Sequence, residues 1–162
     1  MKCLDAVKLR WGPAHTEVKL TLDGPRLIEI NARWHSANFY KLCRQCLGFD
    51  ALTATLDCYI DPEEFSKIPV RPPPLRRQGR IVHLIGFVDG KVSKIKHLSR
   101  IRSMESHLAS EIFVNVGDET CKTVDIRSDV GYVLLCHNDP ATVLANYIEL
   151  TETLQKQLLN VD

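Results

Sequence analysis

Polar and apolar side chains alternate along two neighbouring segments near the start of the chain. From residue 15 to 22, and again from residue 27 to 33, almost every second side chain is apolar. A period of two is typical of strands that have one polar and one apolar face. The turn sequence Asp23-Gly24 lies between the two segments, so the pattern predicts an antiparallel hairpin.

The loop of this hairpin decides which polar side chains share a face. The polar side chains of interest are Glu17 on the first predicted strand and Glu29, Asn31 and Arg33 on the second. A three-residue loop, 22–24, with its glycine in the left-handed conformation, pairs Thr21 with Pro25. The same register places Glu17 directly opposite Glu29. A two-residue loop would put the two carboxylates on opposite faces, so the shared face depends on the loop.

Helical spacing, capping residues and turn signals predict the other elements. Predicted helices cover residues 2–10, a segment that begins at Ser36 or Asn38 and ends at Gly48, a segment capped by Asp50, and a segment capped by Asn138 or Asp139 that runs from Pro140 through Leu158. Predicted strands cover residues 80–88 and 91–97, joined as a hairpin at Asp89-Gly90, and residues 111–116, 120–126 and 131–137. Pro62 opens a turn, and residues 98–109 are compatible with helix or loop. The fold class is therefore α+β.

Composition limits the possible functions. The chain has 162 residues, 44% hydrophobic and 25% charged, which is ordinary for a globular protein. A net charge of +1 gives no electrostatic reason to expect nucleic acid, and no apolar run is long enough to span a membrane. The six cysteines form no dense disulfide framework and the N-terminus lacks a signal-peptide core, so a cytoplasmic location is expected. Cys43-x-x-Cys46 lies in an amphipathic helix and is interpreted as packed thiols rather than a redox or zinc site.

The polar face of the hairpin has the chemistry of a metal–nucleotide site. Two carboxylates that face each other across strands repel unless a cation lies between them, and Mg²⁺ takes carboxylate oxygens and phosphates. Asn31 adds a neutral oxygen, and the guanidinium of Arg33 suits a phosphate. A solvent-facing hairpin that carries these residues by chance, paired with Lys19 or Arg33, is the alternative. The apolar neighbours of Glu29 are typical of a central strand and favour the metal site.

Three stretches of the hairpin region, residues 12–17, 23–24 and 28–33, resemble the C-terminal signature of the ATP-grasp superfamily. The resemblance implies that Glu17, Glu29 and Asn31 bind the Mg²⁺ (or Mn²⁺) ions of MgATP. It implies that Arg33 contacts the phosphates or an acyl-phosphate intermediate. Over residues 34–162 the chain resembles the amino-acid-ligase and biotin-carboxylase-like branch more loosely. Family members join a carboxylate to an amine, thiol or carbanion while ATP is converted to ADP.

The resemblance also implies an architecture and a partner. Residues 1–66 would be the C-terminal part of an ATP-grasp lobe, residues 67–79 a Pro/Arg-rich linker, and residues 80–162 a small antiparallel β lobe with a packed C-terminal helix. The phosphate-binding lysines, the glycine-rich loop and the adenine segment precede this region in the family, so an incomplete ATP site is expected. The leading hypothesis is the C-terminal third of a carboxylate–amine ligase. The alternative is a non-catalytic remnant or subunit, either a homo-oligomer or bound to a partner chain that supplies the missing lobes.

His15 and His35 flank the proposed cluster in the sequence. His15 alternates onto the face of Glu17, but it is expected to be exposed or to support the cluster from outside rather than to bind the metal. In the family the residues after the arginine are often glycine or other small residues. Here Trp34-His35-Ser36 is bulkier, so the substrate pocket is expected to differ from the family pattern.

Overall fold

The computed structural model describes residues 2–35 and 38–162. The helices of this part are α1 (Lys2–Ala6), α2 (Phe39–Leu47), α3 (Ala51–Ile60), α4 (Pro62–Ser66), α5 (Leu98–Arg102) and α6 (Pro140–Glu149). The strands are β1 (His15–Thr21), β2 (Gly24–Asn31), β3 (Gln78–Leu84), β4 (Gly90–Ile95), β5 (His107–Ile112), β6 (Glu119–Thr120), β7 (Gly131–His137) and β8 (Leu159–Val161). None of these helices is long and apolar enough to cross a membrane.

The chain divides into two compact units. The first consists of Met1–Arg44 and Gly48–Pro73, and the second of Gln45–Leu47 and Pro74–Asp162. The first unit contains the hairpin β1–β2 and several helices, and the second contains antiparallel sheets with α6 near its C-terminal end. The predicted α+β class is thereby confirmed.

The β1–β2 hairpin has a shorter loop than predicted, yet Glu17 and Glu29 pair as predicted. Thr21 pairs with Gly24, so the loop has two residues and the predicted Thr21–Pro25 pair is wrong. Gly24 does have the positive φ expected of it, +99°. Further along, Val18 pairs with Leu27 but Glu17 pairs with Glu29. A β-bulge at this point adds one residue to β2. The extra residue returns Glu29 to the face of Glu17, from which the shorter loop alone would have turned it away.

Helices α2 and α3 follow the hairpin; α3 lies in the first unit, and the last three residues of α2, Gln45–Leu47, belong to the second. Asn38 precedes α2 in the left-handed conformation, with φ of 52°, and Gly48 ends the helix as predicted. The alternative start at Ser36 lies outside the described residues. Asp50 caps α3 as predicted, because its carboxylate accepts a hydrogen bond from the backbone N–H of Thr53. The predicted turn at Pro62 is a short helix, α4, and the predicted helix over residues 2–10 ends at Ala6.

The second unit contains two three-stranded antiparallel sheets, in the orders β3-β7-β5 and β6-β4-β8. The predicted hairpin between β3 and β4 is therefore wrong. The turn sequence Asp89-Gly90 is present, but residues 85–89 separate the two strands and each joins a different sheet. β7 is buried along nearly its whole length and supplies β3 with a partner far along the sequence, which a local turn signal does not reveal.

The core of the second unit lies between the β3-β7-β5 sheet and the C-terminal helical segment. Its buried members include Leu84, Val133, Leu135, Val143, Leu150 and Leu158. Of the two predicted caps, Asn138 and Asp139, it is Asp139 that caps α6, by accepting hydrogen bonds from the N–H groups of Ala141 and Thr142. The apolar stripe predicted to continue as one helix to Leu158 instead passes through a π-helical and a 3-10 turn, and the short strand β8 follows it.

Candidate functional site

The two carboxylates at the centre of the candidate site lie opposite each other on the hairpin. Glu17 in β1 pairs with Glu29 in β2, as the sequence predicts. Both side chains are exposed, and the hairpin is a two-stranded sheet within the part of the chain that the structure describes. The central strand expected from the apolar neighbours of Glu29 is therefore not found among the described residues, where β2 pairs with β1 alone. The two carboxylates repel each other because the pairing of β1 with β2 holds them directly opposite, and both are accessible to solvent.

Asn31 lies two positions beyond Glu29 and therefore on the same side of β2. Its side-chain nitrogen donates a hydrogen bond of 2.8 Å to Oε1 of Glu29. That bond orients the amide, because the nitrogen is engaged and the amide oxygen is directed elsewhere. Two carboxylates and an amide oxygen on one strand face are the hard oxygen ligands that Mg²⁺ prefers. The donor set fits the metal that the sequence implies.

Arg33 lies beyond the end of β2, which stops at Asn31. The alternation of strand faces ends before Arg33, so it does not determine which side Arg33 occupies. The predicted position of Arg33 on the face of Glu29 and Asn31 stays a prediction. Its Nη1 donates to the backbone oxygen of Trp34 at 2.9 Å. A guanidinium has five N–H donors in a planar fork, so this bond leaves further donors for an anion.

The ring of His15 contacts the ring of His35, shortly before the start of α2. It lies edge-on to His35, with ring centroids 5.0 Å apart, and His35 contacts Phe39 at 4.7 Å. Nδ1 of His15 is buried without a hydrogen-bond partner among the described residues. The rings of His15, His35 and Phe39 thus form an aromatic cluster that joins the first residue of β1 to the first residue of α2.

An apolar cavity of about 580 Å³ adjoins this cluster. Both tryptophans, Trp11 and Trp34, line it together with Phe39 and Thr55. Nε1 of Trp34 donates to Oγ1 of Thr55 at 2.9 Å, which fixes the indole to α3. Sequence reasoning missed Thr55, and no local signal could have revealed it because 21 positions separate the two partners.

The cysteines of the Cys43-x-x-Cys46 segment are packed thiols, as interpreted from the sequence, and neither forms a disulfide. Burial raises the pKa of the Cys43 thiol, and the negative charge of Asp50 raises it further. The protonated thiol is a poor metal ligand and nucleophile. Among residues 2–35 and 38–162, no three His, Cys, Asp or Glu side chains come together as a metal-binding group. A cation at Glu17 and Glu29 would therefore complete its coordination with the amide oxygen, with water and, when a substrate is bound, with substrate oxygens.

Comparison with known proteins places this fold. No protein-family model matches the chain. It is similar to dapdiamide A synthase from Enterobacter agglomerans, with 25% identity over 148 residues that cover 87% of this chain and 34% of that protein. The crystal structure of an L-amino acid ligase from Bacillus licheniformis covers 98% of this chain with a TM-score of 0.77 and 22% identity. The crystal structure of a phosphoribosylglycinamide synthetase from Anaerococcus prevotii covers 99% with a TM-score of 0.70 and 13% identity.

The matched region is only part of each similar protein. This chain covers 34% of the synthase, 38% of the ligase and 39% of the synthetase. The chain thus spans little more than a third of their length. At these identities the structural matches show the shared fold.

Proposed function

We propose that the chain is the C-terminal portion of an ATP-grasp ligase that joins a carboxylate to an amine at the expense of ATP. Its similarity to dapdiamide A synthase and to the L-amino acid ligase structure supports this proposal. In this proposal Glu17, Glu29 and Asn31 hold the Mg²⁺ ions of MgATP, and Arg33 stabilises the phosphoryl group. The observation that carries the proposal is the cross-strand pair of Glu17 and Glu29, joined on the same side by Asn31.

Electrostatics explain why this pair suits a nucleotide-bound metal. Two opposed carboxylates cost stability in an empty hairpin, and an ion between them converts the repulsion into attraction. Mg²⁺ prefers six oxygen ligands and keeps phosphates and water among them, so a partial set of protein oxygens is sufficient. When bound, the metal would neutralise charge on the phosphates of ATP. The exposure of the two carboxylates leaves room for those phosphates.

Arg33 would act on the anionic group that is transferred. Acyl-phosphate formation moves a phosphoryl group from ATP to a carboxylate, and both reactants are anions. A guanidinium that presents several donors to such a group lowers the cost of bringing the anions together. The bond from Arg33 to the Trp34 oxygen restricts the side chain, so less rotamer entropy is lost when the anion binds.

Binding of MgATP to the chain, measured by calorimetry, tests this proposal. Because the chain would supply only part of the ATP site, we expect a weak signal, and we expect its loss in Glu29→Gln, which keeps the shape of the side chain and removes its charge. Glu63→Gln, an exposed glutamate of α4, is the matched control and should bind as the wild type does. Binding that Glu29→Gln leaves unchanged would contradict the metal role of this residue.

A second candidate function is suggested by the exposed apolar side chains of the hairpin. Leu20 is 81% exposed and Ile28 is 57% exposed, and Val18 and Leu27 are about half exposed. Apolar surface of this kind is typical of an interface. In this candidate the chain is a subunit that binds a partner chain carrying the other ATP-binding lobes. The expected result is then no MgATP binding by the chain alone, and binding restored when a chain with those lobes is co-purified.

A further inference from the structure

Two thiols that are far apart in the sequence lie in contact in the second unit. Sγ of Cys46, in the last turn of α2, is 4.0 Å from Sγ of Cys136, near the end of β7. The two side chains are 7% and 8% exposed. The backbone N–H of Arg76 donates to the carbonyl of Cys46 at 2.7 Å, which holds this turn of the helix in place.

We propose that Cys46 and Cys136 are an oxidation site that forms an intramolecular disulfide in the presence of a hydroperoxide. A disulfide needs its sulfur atoms about 2.05 Å apart, so the two sulfurs must approach each other by about 2 Å from their separation of 4.0 Å. The proposal is independent of ATP and metal binding, because neither cysteine belongs to the Glu17–Glu29 cluster.

The reaction balances with hydrogen peroxide as the oxidant. One thiolate attacks a peroxide oxygen, which gives a sulfenic acid and releases hydroxide. The second thiol attacks the sulfenic sulfur, which forms the S–S bond and releases water. In total, two thiols and one H₂O₂ give one disulfide and two H₂O. A small peroxide suits the site better than a protein oxidant, because only a narrow part of either side chain reaches solvent.

The second thiol is what distinguishes this site from the other cysteines. A sulfenic acid formed at Cys46 or Cys136 has a partner in contact and is captured as a disulfide. Cys3 and Cys121 are exposed, so they are open to oxidation by larger reagents. Cys43 lies one helical turn before Cys46 on α2 and is the competing partner for a disulfide, so the test must tell the two linkages apart.

The bond would close a loop of 90 residues between the two positions. Cross-linking removes conformations from the unfolded chain and raises stability more for longer loops. It would also join the last turn of α2 covalently to β7. We therefore expect oxidation to raise the melting temperature by about 5–15 °C, and a reductant to reverse the rise.

Linkage mapping on the full wild-type chain tests the proposal. The reduced protein is treated with a small excess of hydrogen peroxide, the remaining thiols are alkylated, and the non-reduced digest is examined by mass spectrometry. We expect a peptide pair joined through Cys46 and Cys136, and a thermal shift that dithiothreitol reverses. The shift should be absent in Cys46→Ala and Cys136→Ala and present in Cys121→Ala, the exposed control.

Three outcomes would overturn the proposal. One is a Cys43–Cys46 linkage, another is a linkage between chains, and the third is oxidation of Cys3 and Cys121 with both buried thiols still reduced. Because mapping uses the wild-type chain, it remains decisive even if the Cys136 variant fails to fold.

Discussion

Glu17 and Glu29 face each other across the β1–β2 hairpin because Ile28 is an extra residue in β2. Without that bulge, the two-residue loop would pair Glu17 with Ile28 and turn Glu29 to the other face. The bulge therefore brings the two carboxylates together. It also places Asn31 beside them, where its amide bonds Glu29.

Deletion of single residues from β2 tests this geometry. Removing Ile28 should give a regular ladder in which Glu17 still faces Glu29, so divalent-cation binding is retained. Removing Ile30 should move Asn31 to the opposite face and break its bond to Glu29, so binding weakens. Cross-strand NOEs between residues 17 and 29 should be present in both variants, and cation titrations should separate them. Equal loss of binding in both deletions would contradict the assigned register.

The repulsion between the carboxylates should be measurable without ligand. In metal-free buffer we expect Glu29→Gln to raise the free energy of unfolding by about 0.2–1 kcal/mol, because a like-charged cross-strand pair is removed. Adding Mg²⁺ should stabilise the wild type and leave the variant unchanged. Urea unfolding with and without Mg²⁺ measures both effects, and Glu63→Gln is the control. Destabilisation of Glu29→Gln in a background that already carries Asn31→Ala, where the bond from Asn31 to Glu29 is absent, would contradict repulsion within the pair.

Much of the hairpin could be predicted from the sequence, but its bulge could not. Alternation and the Asp23-Gly24 turn are local signals, and they correctly predicted that Glu17 pairs with Glu29. The adjacent apolar residues Leu27 and Ile28 interrupt the alternation at the position of the bulge. A three-residue loop reaches the same Glu17–Glu29 pair without a bulge, so the loop length was wrong while the pair was right. Arg33 lies past the end of β2, and only the structure shows that its guanidinium bonds the Trp34 oxygen.

In the second unit the errors came from pairing between distant segments. Asp89-Gly90 has the sequence of a hairpin turn, yet β3 pairs with β7 about 50 positions away and β4 pairs with β8. β8 has three residues, too few for a periodic pattern to be visible. Helix caps were predicted better, because Asp50 and Asp139 act on N–H groups two or three positions further on.

Asp50 should make the first unit sensitive to acid. Burial by itself would raise the pKa of this carboxyl, but hydrogen bonds from the Thr53 backbone and hydroxyl and from Arg44 outweigh it and lower the pKa. A folded-state pKa below the unfolded value of about 3.9 gives stability that is present above that pH and lost as the pH falls through the folded pKa. Asp50 therefore stabilises the fold at neutral pH.

We expect Asp50→Asn to lower the free energy of unfolding at pH 7 by about 1–2 kcal/mol, because an amide is a weaker acceptor for Arg44 and the helix N-terminus. The difference from the wild type should shrink below about pH 4. Urea unfolding of both proteins at several values between about pH 3 and about pH 7 measures this difference in the free energy of unfolding. A constant difference across that range would contradict the role given to the charge.

Gly131 should be the least replaceable glycine of the second unit. Its φ is +150°, and a Cβ added to it would lie 2.3 Å from the carbonyl oxygen of Glu111 in β5. We expect Gly131→Ala to cost about 2–5 kcal/mol through strain and displacement of β5 from β7. Gly117, with φ of +100° and open space around it, is the control, and Gly117→Ala should cost about 1–2 kcal/mol. Similar losses in both variants, measured by thermal unfolding, would show that the β5–β7 contact is not the cause.

The central claim is that Glu17, Glu29 and Asn31 form a divalent-cation site, and paramagnetic broadening by Mn²⁺ tests it most directly. In NMR spectra of the chain, low Mn²⁺ concentrations should broaden signals of residues around these three side chains first, and Mg²⁺ should restore them by competition. The same broadening should be lost in Glu29→Gln and kept in Glu63→Gln. Broadening centred elsewhere, or unchanged in Glu29→Gln, would contradict the claim.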